Sequence, residues 1–208
     1  PSENASAVGY GNNANALAAS AVGYNNTAGG VGSSTIGYNN TATNENASAF
    51  GYGNTAGGLA SSAFGFSNTA SGDNANAFGY NNTASGNYTN AIGYNNQTQA
   101  FASSAIGYQN KATASAVSAS AVGRSNEVSN EYANAFGALN KASGSSSSAF
   151  GVNNNASGSF ASALGYQNTT AGYLGSAVAP AITRLLIMPV LLVMAMRPRA
   201  MSATLSAV

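Results

Sequence analysis

A glycine returns every fourteen residues along most of this 208-residue chain. It stands at Gly9, Gly23, Gly37, Gly51, Gly65, Gly79, Gly93 and Gly107. After one step of sixteen it resumes at Gly123, Gly137, Gly151 and Gly165. A small residue, Ala (Thr once, at Thr35) and a large apolar residue precede each glycine, and Tyr-Asn-Asn-Thr-Ala usually follows. The next expected place holds Ala179, after an intact Ser176-Ala177-Val178. That makes twelve full copies and the start of a thirteenth. A short fixed period means stacked identical units rather than a globule around one core.

Fourteen residues are too few for a helix pair. They suit two strands of about five residues joined by two turns, so the chain is read as all-β. In Ser48-Ala49-Phe50-Gly51-Tyr52, alternation puts Ser48, Phe50 and Tyr52 on one face and Ala49 and Gly51 on the other. The large apolar place runs Val8, Val22, Ile36, Phe50, Phe64, Phe78, Ile92, Ile106, Val122, Phe136, Phe150, Leu164 and Val178. One face therefore carries bulk and the other is nearly bare. The bulk is expected to fill the inside of a coil two strands thick, and the bare Ala/Gly face to let another backbone approach. A coil this thin needs a second burial surface, which matching copies of the same chain supply. The second Ala of the unit (Ala28, Ala42, Ala56, Ala70, Ala84) marks a small inward site on the second strand.

An Asn stands three residues after each repeat glycine, from Asn12 and Asn26 through Asn40, Asn54, Asn68 and Asn82 to Asn168. Asn tolerates left-handed backbone and bonds its own turn. Stacked coils would also align these amides into a ladder. At a strand spacing of about 4.8 Å, thirteen coils make a rod roughly 60 Å long. The step of sixteen falls within 111–120, and its two extra residues are expected to bulge at a turn.

Composition removes several functions. Six basic and five acidic residues give a net charge of +1, and no basic stripe exists to follow a phosphate backbone, so no nucleic-acid partner is expected. There is no Cys and no His, so disulfides, thiol or imidazole catalysis and zinc sites are excluded. Glu3, Glu45, Asp73, Glu127 and Glu131 read as scattered, with no pair placed for acid–base work. No catalytic residue, cofactor or metal site is assigned. Gly29-Gly30 and Gly57-Gly58 lack the following Asp of a calcium-binding roll.

The candidate contact surface is the residue after each glycine: Tyr10, Tyr24, Tyr38, Tyr52, Phe66, Tyr80, Tyr94 and Tyr108, then Arg124, Ala138, Val152 and Tyr166. Stacking of coil on coil explains these aromatics structurally. As ligand contacts, Tyr24, Tyr38, Tyr52, Tyr80 and Tyr94 offer large area and a hydroxyl at low entropy cost. A second column, Thr27, Thr41, Thr55, Thr69 and Thr83, raises ice binding as an alternative. Gln97, Lys111, Glu127 and Lys141 end it.

Residues 180–208 leave the repeat. They hold no Gly and no Asn, all four Met and three of the six basic residues. The apolar run from Leu185 to Met196 contains Pro189 and is shorter than the ~20 residues of a spanning helix. The chain divides into a repeat region, 1–179, and an apolar tail, 180–208. A frameshifted end, a disordered segment and a native cap are the readings of that tail. The chain opens at Pro1 without a basic-then-apolar leader, and reads as a processed form or a fragment.

Ser-Ala-(Val/Ile/Phe)-Gly followed by x-x-Asn-x-Ala-x-Gly resembles the head repeat of YadA-like trimeric autotransporter adhesins. Asn68-Thr69-Ala70-Ser71-Gly72 through Asn76-Ala77-Phe78-Gly79 carries the likeness closely, and it extends over about residues 4–178. The resemblance implies a left-handed parallel β-roll solenoid, assembled as a side-by-side homotrimer on a Gram-negative cell surface. It implies adhesion to host extracellular matrix proteins, to abiotic surfaces or to other copies. Related repeats occur in phage tail fibres, so a purely structural fibre is an alternative. Neither the heptads of the family's stalk nor its membrane anchor is present in this chain.

Overall fold

The computed structural model describes residues 3–180 and 183–184. The tail read as frameshifted, disordered or capping lies outside the described residues apart from Pro180 and Thr183–Arg184. Every coil contributes one long and one short strand, from β1 (Ser6–Tyr10) and β2 (Asn13–Ala14) to β25 (Ser176–Pro180) and β26 (Thr183–Arg184). The odd-numbered strands form one thirteen-stranded sheet and the even-numbered strands another, each in chain order. All pairings are parallel. Residues one period apart sit opposite each other, as in Ser48↔Ser62, Phe50↔Phe64 and Tyr52↔Phe66. The chain is a parallel β-solenoid. Its second strand is two residues long rather than about five, because turns take up the rest of the period.

The alternation read from the sequence holds, but its inside and outside are exchanged. Ala21, Ala49, Ala63, Ala77, Ala91 and Ala105 of the long strands have no exposed surface, nor do Ala28, Ala42, Ala56, Ala70 and Ala84 of the short ones. The large apolar column faces outward: Val22 is 37% exposed, Ile36 49% and Leu164 48%. The two sheets lie so close that the space between them accepts methyl groups. The largest fully buried side chains are Val128 and eleven Asn.

Backbone approach explains the glycine column. Gly93 has φ +118° and a Cβ there would lie 2.1 Å from the carbonyl oxygen of Gly107 in the following coil. The same contact recurs at 2.0–2.1 Å from Gly9 to Gly151. A side chain in this column would also occupy a left-handed region that non-glycine residues avoid.

The asparagine column is a buried ladder rather than the left-handed turn position. Asn82 Nδ2 donates to Asn68 Oδ1 at 2.9 Å, to Phe78 O at 2.9 Å and to Gly93 O at 2.8 Å. Its own Oδ1 accepts from Asn96 N at 2.9 Å and Asn96 Nδ2 at 3.0 Å. One amide thus ties three coils together. Left-handed backbone falls one residue earlier, at Asn25, Asn39, Ser67, Asn81 and Asn95 (φ 52–54°).

The two-residue insertion sits in the turn between β16 (Lys111–Ala112) and β17 (Ser120–Arg124). There Ala116 N donates to Thr113 O at 2.9 Å, adding one tight turn ahead of the usual one. Pairing across it stays in register, Ser104 with Ser120 and Lys111 with Glu127.

Candidate functional site

The long-strand sheet presents three columns to the outside: Ser or Asn, then the bulky apolar residue, then the residue after glycine. Parallel in-register pairing repeats each side chain at the strand spacing, so identical aromatics meet face to face. Tyr10, Tyr24, Tyr38, Tyr52, Phe66, Tyr80, Tyr94 and Tyr108 form one stack of eight rings, with centroids 4.9–5.2 Å apart. Phe50, Phe64 and Phe78 stack beside it at 4.8 and 5.0 Å, and Phe136 and Phe150 at 5.0 Å.

Tyr24, Tyr38, Tyr52, Tyr80 and Tyr94 are therefore brought into one array, each 43–47% exposed. Their ring faces are occupied by neighbours above and below, which leaves ring edges and hydroxyls to meet a ligand. The array ends at the insertion, where Tyr108 pairs with Arg124. The repeat glycines lie beside it as backbone spacers. Asn26, Asn40, Asn54, Asn68 and Asn82 lie beneath it, fully buried, and meet no solvent.

The short-strand sheet is polar outside. Thr27, Thr41, Thr55, Thr69 and Thr83 are in register on its outer face. Gln97, Lys111, Glu127 and Lys141 continue the same column. The left-handed Asn beside it form short surface ladders, with Asn25 Nδ2 donating to Asn39 Oδ1 at 2.9 Å and Asn81 Nδ2 to Asn95 Oδ1 at 3.1 Å.

A ridge at the other turn is absent from the sequence reading. The residue six before each glycine sits at the turn tip, and the residue five before it is left-handed. Bulky side chains occupy that strained position at Tyr88, Tyr132, Phe160 and Leu174 (φ 54–59°) and stand exposed. Leu17, Val31, Leu59, Phe101 and Tyr173 are exposed at the tips. The acids thought to be scattered have a fixed place here, since Glu3, Glu45, Asp73 and Glu131 all fall six residues before a repeat glycine or its equivalent. Asp73 Oδ1 accepts from Leu59 N at 2.9 Å, and Asn87 Oδ1 from Asp73 N at 3.0 Å, so acid or amide closes the tip of the preceding coil. The recurrence of Asn4, Asn46 and Asn74 in one column was the sequence signal for the left-handed position.

Tip acids are never on adjacent coils, and the nearest two, Glu45 and Asp73, stand two coils or about 10 Å apart along the axis. Among the described residues no group of three or more His, Cys, Asp or Glu is placed to hold a metal ion. Among them, too, no helix is long and apolar enough to cross a membrane. What the surface offers chemically is repetition: the same contact presented once per coil.

A family model described as the YadA head domain repeat matches residues 28–54, 56–75, 70–96 and 142–168. No curated protein matches the chain.

Proposed function

On the premise that the chain carries a YadA-type head-repeat region within residues 28–168, we propose that it is the adhesive head of a trimeric surface protein of a Gram-negative bacterium. Its partners are two further copies of itself and a host extracellular matrix protein or other surface ligand. The carrying observation is the outward apolar column. Val8, Val22, Ile36, Ile106, Phe150, Leu164 and Val178 are all at least 37% exposed, with stacked Phe between them. A continuous apolar strip running from coil to coil marks an association surface. Packing these columns against each other around a three-fold axis covers the strip. The polar short-strand face and the turn ridges then remain outside for ligands.

Each coil repeats the same weak contact and each trimer repeats it on three chains, so adhesion gains through effective concentration rather than through one tight pocket. Light scattering on the full chain tests the assembly: a uniform trimer is expected, and a stable monomer at micromolar concentration would remove the reading. Binding of the trimer to immobilised matrix proteins, compared with binding of a chain cut to half its coils, tests the repetition. The ice-binding alternative predicts thermal hysteresis. The Thr column argues against it, being one residue wide and ending at Gln97.

A further inference from the structure

One stretch of the rod departs from the repetition. Beyond Tyr108 the residue after glycine becomes Arg124, Ala138 and Val152, before Tyr166 restores the aromatic. Over the same three coils the Thr column of the short strands reads Glu127, Lys141 and Asn155. The left-handed turn between the two strands changes as well, to Ser125, Leu139 and Asn153 (φ 52–59°). These departures coincide on one corner of the solenoid, and a cleft of about 350 Å³ lies there. Ser125, Glu127, Leu139, Lys141, Asn153 and Asn155 line it, above the buried Asn ladder.

The polar groups of this lining are unspent. Elsewhere the left-handed Asn bond one another, as Asn25 does Asn39 and Asn81 does Asn95. Here Leu139 separates Ser125 from Asn153. The side chains of Glu127, Lys141 and Asn153 make no hydrogen bond or ion pair among the described residues. Asn155 Oδ1 is buried without a partner, an acceptor that a donated hydroxyl satisfies once the amide turns to the cleft. Leu139 is 48% exposed at φ +59°, a left-handed backbone that bulky residues avoid. Strain of this kind gathers where it serves a contact. One apolar side chain among convergent donors and acceptors makes a small-ligand site, and the volume lies near the lower end of the roughly 300–1,000 Å³ usual for one.

We propose that this cleft binds an acidic sugar, a single ring bearing a carboxylate. Lys141 takes the carboxylate, while Lys111 and Arg124 on the two coils before it add positive potential. Glu127 only accepts hydrogen bonds, so it takes ring hydroxyls, and the amides of Asn153 and Asn155 bond those beside them. Leu139 covers the C–H face of the ring. A bare inorganic anion would leave Glu127 and Leu139 without a role, and a neutral sugar would leave Lys141 unpaired. The site deepens the adhesive reading by giving it a ligand class, yet one chain builds all of it. A failure to bind sugar removes the site and leaves the trimer, and a monomeric chain would leave the site standing.

The test is saturation-transfer NMR on the full chain, with glucuronic acid and N-acetylneuraminic acid as probes. N-acetylglucosamine supplies a ring without the charge, and acetate the charge without a ring. Transfer to one or both acidic sugars is expected, strongest at ring C–H protons, with a weaker response from either control. Lys141→Met is expected to weaken that binding roughly tenfold, as loss of a charged hydrogen bond does. It should keep the strand signature in circular dichroism, since Lys141 is exposed. Leu139→Asn returns a residue that other coils carry in this left-handed turn. It is expected to melt at a higher temperature and to bind several-fold more weakly, whereas a merely structural Leu139 would leave binding unchanged. No transfer from either acidic sugar, an equal response from N-acetylglucosamine or acetate, or unchanged binding by either variant overturns the proposal.

Discussion

Single residues in this molecule carry effects that their size does not suggest, because each belongs to a column. Gly93→Ala adds one methyl, yet places it 2.1 Å from Gly107 O at a φ of +118°. Backbone strain and a clash with backbone add, so a loss of about 3 kcal/mol or more is expected, read as a lowered midpoint in chemical denaturation. Asn82→Leu keeps the volume but removes the two amide hydrogens shared among Asn68 Oδ1, Phe78 O and Gly93 O and leaves Asn96 N without its acceptor, while Asn96 Nδ2 keeps Ile92 O and Gly107 O. Buried polar groups left unpaired cost about 1–3 kcal/mol each, so this variant is expected to be among the most damaging. Thr98 points the other way. It occupies the inward Ala column, is fully buried, and its Oγ1 has no hydrogen-bond partner. Val128 shows that a β-branched side chain fits the equivalent place in the fold. Thr98→Val is expected to stabilise by about 1 kcal/mol in the same measurement.

At the scale of elements, the coil is held less by core volume than by repetition. Its interior is Ala, which contributes little apolar area per residue. The two sheets and the Asn ladder each add one increment per coil, and the aromatic stacks add one in the coils that carry them. The insertion between β16 and β17 shows which part of the coil is free to vary. Two residues enter a turn without disturbing the register of either sheet. Deleting Ala114 and Ser115 returns the step to fourteen. It is expected to leave the circular dichroism spectrum unchanged and the melting temperature within a few degrees, since loop length alone contributes weakly. A one-residue change in a strand would shift every following side chain to the wrong face.

For the whole molecule, the exchange of inside and outside has the largest consequence. The bulky column cannot stabilise the coil from within; in the proposed trimer it stabilises the assembly instead. Replacing Phe64 and Phe78 by Ser is expected to shift the full chain from trimer towards monomer in light scattering. The strand signature in circular dichroism should be retained, because neither side chain belongs to the Ala-lined interior. The same pair exchanged for Leu, which keeps apolar bulk, is expected to assemble.

The fourteen-residue period, read by itself, determined the solenoid, the strand parity, the inward second Ala, the turn that takes the insertion and the likeness to YadA head repeats. Each follows from local chemistry repeated at constant spacing, which parallel stacking preserves. It did not determine which face of the strand is the interior. Ser48, Phe50 and Tyr52 share one face under either answer, and apolar bulk ordinarily points inward. Only the distance between the two sheets decides, and it leaves room for the methyl groups of the Ala columns. The turn ridge with Tyr88, Tyr132, Phe160 and Leu174 was hidden for a related reason. Its residues vary from copy to copy, and what they share is a left-handed backbone that neighbouring coils impose. The period set the columns, and tertiary contact between coils assigned them to the interior or the outside, because methyl-sized space lies on one side of the sheet and open solvent on the other.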